Sequence, residues 1–188
     1  MSVSRRWTVA DLDEIEPKEG ERYEVIDGEL FVSQAPSWRH QFPASKLNTA
    51  LEAWSEDTGR GTTLQVPGLV FASGDGAIPD VTWISWGRLR AAEDAAGHFT
   101  IGPELVVEVL SPGSDNVRRD REAKLSLYSA QGVDEYWIVD WQRRTVDVFR
   151  RAGEALALAQ TLGGEDVLET SLLPGFSVPL PKLWPPTL

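Results

Sequence analysis

The run ELVVEVL at residues 104–110 constrains this chain more than any other segment. Its apolar residues occupy both faces of a strand, so the strand must be central in a sheet and covered on both sides. Glu108 falls inside it. An ionised carboxylate there is costly unless it is paired or bound to a metal. Two further charges share the anomaly. Asp80 opens the apolar run PDVTWIS, and Lys124 sits on the apolar face of the helix expected after the ELVVEVL strand. Two carboxylates and an ammonium on buried elements point to a divalent-metal site with a cationic helper, which is the equipment of a phosphodiester-cleaving enzyme.

Face direction supports a common pocket. At 100° per residue along a helix, Lys124 centres an arc that holds Val117, Asp120, Leu127 and Tyr128, while Arg118, Arg119 and Glu122 point elsewhere. Glu108 shares a strand face with Val106 and Leu110, and Asp80 shares one with Thr82 and Ile84. If the two strands are neighbours, both carboxylates enter one pocket.

The residues alone also allow blander roles. Asp80 can cap a turn. Glu108 and Lys124 can form an ion pair that only sets register, and Lys124 can snorkel. Asp120 and Lys124 fit an i,i+4 helix pair. Glu24 is a further candidate, although its short arm reads better as an exposed strand glutamate. His40, near a helix start, is a possible base or phosphate contact, with a solvent-facing or satisfied histidine the simpler reading. His98 reads as a loop residue, and Asp140 and Asp147 as exposed strand residues. Trp83, Trp86, Trp137 and Trp141 read as core and subunit interface rather than a base-stacking platform.

Along the chain, Thr8 caps a short helix to about Ile15. RYEVIDGELFV (22–32) reads as a hairpin turning at Asp27-Gly28. Residues 38–57 read as a helix ended by Gly59, with Pro43 in its first turn. TLQVPGLVFAS (63–73) is a strand interrupted at Pro67, GDGAI a turn, and 87–98 a loop or short helix. Ser114 or Asp115 caps a helix from about Val117 to Gln131 that Gly132 ends. Residues 134–141 and 145–150 form a second hairpin, 155–162 and 165–173 a weaker strand pair, and LPGFSVPLPKLWPPTL an extended cap. A single α+β domain over 1–188 is expected, with a mixed β-sheet flanked by helices and β-hairpins near both termini.

Composition narrows the chemistry. Cysteine is absent, which excludes thiolate sites, and the two histidines, His40 and His98, argue against a multi-histidine zinc site. Any metal must be held by oxygen, which favours magnesium, manganese or calcium. The net charge of −11 opposes generic nucleic-acid binding. Residues 118–151 are locally slightly basic, with eight Arg and Lys against six Asp and Glu, so a cleft there can still guide a polyanion. No apolar stretch is long enough to cross a membrane and the N-terminus lacks a secretory pattern, so a cytoplasmic setting is expected.

The ordered set PD, then ELVVEVLSP, a helix bearing D-x-x-x-K, then GVDEYWIVD resembles the bacterial Uma-two family of restriction-endonuclease-like proteins, within the PD-(D/E)XK nuclease superfamily. RYEVIDGEL with APSWRHQ, and the closing LPGFSVPLPKLW, are similar to the family's two ends. The resemblance implies a restriction-endonuclease-like core, Asp80 and Glu108 as metal ligands, and homodimers. Leu110 stands where the superfamily pattern has lysine; the resemblance implies that the following helix supplies it, as Lys124. The expected activity is Mg2+- or Mn2+-dependent hydrolysis of nucleic acid, DNA foremost, with the backbone carbonyl of Val109 as an extra ligand and Glu24 completing the shell. The alternatives are a non-catalytic dimeric module of the same fold, or a hydrolase of a small phosphate ester.

Overall fold

The computed structural model describes residues 5–187; residues 1–4 and 188, the ends of the expected 1–188 domain, lie outside the described residues. Strand β1 (Glu21–Ile26) turns through Asp27 and Gly28, both at positive φ, into β2 (Glu29–Gln34). That pair of left-handed residues matches the strands' twist, and the hairpin falls where the sequence placed it. Ahead of it, a 3-10 turn over Val9–Glu14 is capped by Thr8, whose N–H and hydroxyl both donate to Asp11.

Helix α1 (Trp38–Thr58) starts on Ser37, whose hydroxyl accepts from the His40 N–H, and ends on Gly59 at φ 65°. Pro43 lies beyond the first turn, inside this helix, contrary to expectation. After β3 (Gly61–Gln65), Val66 takes φ 54° and redirects the chain to β4 (Leu69–Val70). The interrupted strand thus serves two sheets. GDGAI is not only a turn: Gly76–Ala77 form β5, which pairs with β1 and β4.

The main sheet has six strands. It contains β3, β6 (Val81–Ser85), β7 (Leu105–Val109), β8 (Glu135–Asp140), β9 (Thr145–Ala152) and β10 (Ala155–Gly163), and runs β10-β9-β8-β7-β6-β3. Only the β7–β8 pair is parallel. A four-stranded sheet, β2-β1-β5-β4, lies beside it. Residues 155–163 pair back onto β9, and β11 (Val167–Glu169) pairs instead with β12 (Ser177–Pro179). The expected 155–162/165–173 pair is therefore replaced by two separate hairpins. Residues 86–92 form the short helix α2 (Trp86–Ala92).

The central strand divides the core as its alternation requires. Leu105, Val107 and Val109 join Leu47, Leu51 and Trp54 of α1, with Leu180, Leu183 and Trp184 from the C-terminal segment. Val106 and Leu110 join Leu127, Tyr128 and Tyr136 on the other face. The C-terminal segment thus enters the core rather than lying over it, through β12 and a 3-10 turn at Leu180–Leu183. Trp83 and Trp137 are core, Trp141 packs partly against it, and Trp86 is exposed. Asp140 and Asp147, expected to be exposed, are buried: Asp140 accepts the Gln142 and Arg143 N–H groups of the β8–β9 turn, and Asp147 pairs with Arg121. Among the described residues no helix is long and apolar enough to cross a membrane.

The last helical region departs from a regular α-helix. α3 (Ser114–Arg118) begins after Gly113, at φ 111°, rather than on a Ser114 or Asp115 cap. A π turn over Arg119–Ala123 follows, then α4 (Lys124–Ala130), which ends before Gly132 at φ 77°.

Core packing sets a clear contrast in mutability. Leu51→Ala empties a fully buried position and should lower the urea unfolding free energy by about 2–5 kcal/mol. Leu158→Ala, at a side chain 56 % exposed on β10, should change it by no more than about 0.5 kcal/mol.

Candidate active site

Glu108 lies on the β7 face that carries Val106 and Leu110, toward the last helix. Asp80 immediately precedes β6, which pairs antiparallel with β7 so that Val81 faces Val107. That register sets Asp80 beside Glu108. The Val109 N–H donates to Asp80 Oδ2 at 2.8 Å. His40, projecting from the first turn of α1, places Nε2 3.2 Å from the same oxygen. Arg22 on β1 stands 4.0 Å from Asp80 Oδ1.

Lys124, 1 % exposed, joins the elements. Its Nζ lies 2.8 Å from Glu108 Oε1, 2.9 Å from Glu24 Oε1 and 3.8 Å from Asp120 Oδ1. Tyr128 also donates to Glu108 Oε1, at 2.8 Å. Glu24 Oε1 accepts the Ile78 N–H at 2.7 Å. Asp120 is held by Arg119, whose Nε donates at 2.8 Å, and Arg119 stands 3.7 Å from Glu24. A cleft of about 610 Å3 opens over these groups, lined by Arg22, Glu24, His40, Asp80, Glu108, Arg119 and Lys124 with residues 111–116, the turn into α3 and its start.

Asp80, Glu108 and Lys124 therefore converge as their faces require. Three expectations change. Glu24 is buried and ion-paired rather than an exposed strand residue. His40 is buried against Asp80, with Nδ1 lacking a hydrogen-bond partner among the described residues. Arg119, assigned to an outward face, is buried in the site. Regular 100° steps misplace it because of the π turn: the Lys124 N–H bonds the Arg119 carbonyl, five residues back. That i→i+5 step brings residues 119 and 124 onto one face. The Tyr136 hydroxyl donates to the Asp120 carbonyl within this turn, at 2.9 Å. Nothing in RRDREAKL marks a π turn, so sequence alone had no signal for Arg119. Val109 meets the site through its N–H.

The electrostatics follow from burial and crowding. Burial pushes the Glu108 carboxyl up to about 8 from 4.5; Lys124 opposes this, while Asp80, Asp120 and Glu24 add to it. Burial also raises Asp120, against Lys124 and Arg119. For Asp80, burial acts upward, but His40, the Val109 N–H and Lys124 outweigh it and hold the group below its ordinary value. Burial disfavours the Lys124 ammonium, yet Glu108, Glu24 and Asp120 overcome that and raise its pKa. Among the described residues, no three His, Asp or Glu side chains are gathered as a ready metal-holding group.

A group whose pKa rises on folding stabilises the fold below its unfolded pKa and loses that contribution as pH rises through the folded value. The metal-free protein should therefore lose stability between about pH 4.5 and about pH 8. Thermal unfolding across this window should show a falling Tm, and Glu108→Gln should flatten that part of the curve. A wild-type Tm that does not fall in this window would refute the raised Glu108 carboxyl.

A family model described as "Putative restriction endonuclease" matches residues 9–181. No curated protein matches the chain. A solved structure from Anabaena variabilis, titled "a putative nuclease belonging to DUF820", is similar with a TM-score of 0.74 and 17% identity, covering 94% of this chain and 97% of that one. At that identity the likeness concerns the fold, which is restriction-endonuclease-like. With nearly the whole chain matched, this protein belongs to the Uma2 family, the Uma-two group that its motifs resemble.

Proposed function

We propose that this protein is a divalent-metal-dependent nuclease that hydrolyses phosphodiester bonds, with DNA as the first substrate to test. The observation that carries the reading is the meeting of Asp80, Glu108 and Lys124 in one cleft, from three elements remote in sequence. Its nuclease-like family and fold support it.

The donor chemistry fits a hard cation. Glu24, Asp80, Glu108 and Asp120 are four buried carboxylates, and they face two buried basic groups, Arg119 and Lys124. Ionising all four would leave two negative charges over, which one divalent ion would offset; bound there, it would also favour the ionised form of Glu108 that burial opposes. Magnesium commonly takes only one or two protein carboxylates and keeps waters for the rest, so it does not require a preassembled cage. Asp80 and Glu108 would hold it, with Glu24 and the Val109 carbonyl as supplementary donors. Bound there, Mg2+ or Mn2+ would lower the pKa of a water and offset phosphate charge.

The chain's own groups supply the rest. His40 and the Val109 N–H fix Asp80 Oδ2, which sets the direction of Oδ1. Arg22 and Arg119, on the cleft wall, can bind phosphate oxygens. Lys124 can neutralise charge that develops on the phosphate as water adds and the sugar oxygen leaves. Homodimer assembly and a cytoplasmic setting belong to this same proposal. The net charge of −11 favours one competing reading, a small phosphate ester as substrate. Comparing plasmid, single-stranded DNA, RNA and nucleotide substrates separates the two.

Asp80→Ala and Glu108→Ala should each abolish magnesium-dependent cleavage in a plasmid-nicking assay. Lys124→Ala should lower it by about 10²–10³-fold. Circular dichroism must show each variant folded. A folded variant that cleaves like wild type removes its residue from the scheme.

A further inference from the structure

Lys124 contacts the same carboxylate that the proposed ion would need. Both hydrogen bonds to Glu108 go to Oε1, from Lys124 and Tyr128. Both polar contacts from His40 and Val109 to Asp80 go to Oδ2. Among the described residues this leaves Glu108 Oε2 and Asp80 Oδ1 without a hydrogen bond and so as the oxygens for an ion, with Arg22 4.0 Å from Asp80 Oδ1. The ammonium also holds Glu24 and stands near Asp120.

We propose that Lys124 is the site's resident counter-ion and competes with the divalent cation for Glu108, so that this lysine sets the metal affinity of the centre. The inference rests on the metal reading above and adds a role for Lys124 before any substrate arrives. An ion on Glu108 shares a buried carboxylate with an ammonium already 2.8 Å away. Two cations on one carboxylate repel strongly where water is excluded. Lys124 has a way to yield: its flexible four-carbon stem can keep Glu24 and lean toward Asp120 while releasing Glu108. Tyr128 stays on Glu108 Oε1 and limits the carboxylate's rotation, so Oε2 remains available to the ion. The divalent ion therefore binds against an internal competitor.

The test is Mn2+ and Mg2+ affinity, by calorimetry and by the metal-induced rise in Tm, in wild type, Lys124→Met and Lys124→Arg. Lys124→Met keeps the stem and removes the charge, and should bind metal at least about tenfold more tightly than wild type. If this variant folds only when Mn2+ is present, that outcome also supports competition. Lys124→Arg keeps the charge and can grip Glu108 with two N–H groups, so it should bind metal more weakly than wild type. If Lys124→Met fails to fold under any condition, the arginine variant decides. Equal or weaker binding by a folded Lys124→Met, or equal or tighter binding by Lys124→Arg, overturns the competition while leaving the metal site standing. Absence of metal binding in wild type and in every variant overturns the metal reading and this inference together.

Discussion

The buried ion pairs of Lys124 tie this molecule together at its centre. One ammonium, from the start of α4, reaches Glu108 on the central strand and Glu24 on the smaller sheet. It links three elements that share no hydrogen-bond ladder with one another. Pairs of this kind rarely add net stability over an apolar replacement, but removing one partner strands a buried charge at a cost of about 3–5 kcal/mol. The cluster is therefore better understood as a device for position. It holds the last helix, the β1–β2 hairpin and β7 in one arrangement, and the cleft exists only in that arrangement.

The π turn at Arg119–Ala123 is the backbone feature that completes the cluster. It interrupts the regular helix one turn before Lys124 and swings Arg119 inward to hold Asp120 and approach Glu24. Such bulges are uncommon and cluster at functional sites. The Tyr136 hydroxyl on the Asp120 carbonyl shows that the core is built around this irregularity. Without it, Glu24 and Asp120 would lose Arg119 and face Lys124 alone.

The acidic surface and the basic side chains of the cleft work in opposite directions on a phosphate substrate. A chain of net charge −11 repels polyanions at long range. Inside the cleft, Arg22, Arg119 and Lys124 supply local positive charge, yet Arg119 and Lys124 are engaged by carboxylates. The site's attraction for phosphate thus depends on how those internal pairs are shared.

Much of this was legible in the residues, and what was not has physical causes. Charge inside ELVVEVL, alternation along PDVTWIS and the inward arc of Lys124 named the three converging groups, because side-chain direction in strands and regular helices is periodic. Asp27-Gly28 and Gly59 marked a turn and a helix end, because only certain residues tolerate positive φ. The exposed readings of Glu24 and His40 failed because their partners, Lys124 and Asp80, are distant in the chain, and Arg119 was misplaced because a π turn that no local pattern marks swings it inward. The pairing of 155–163 with β9 likewise depended on which strand edge was open, not on local pattern. By itself the sequence determined which charges had to be buried and on which face of each element they stood. Only the tertiary structure decided which opposite charges meet them, since pairing is set by the packing of elements whose relative placement local periodicity does not encode.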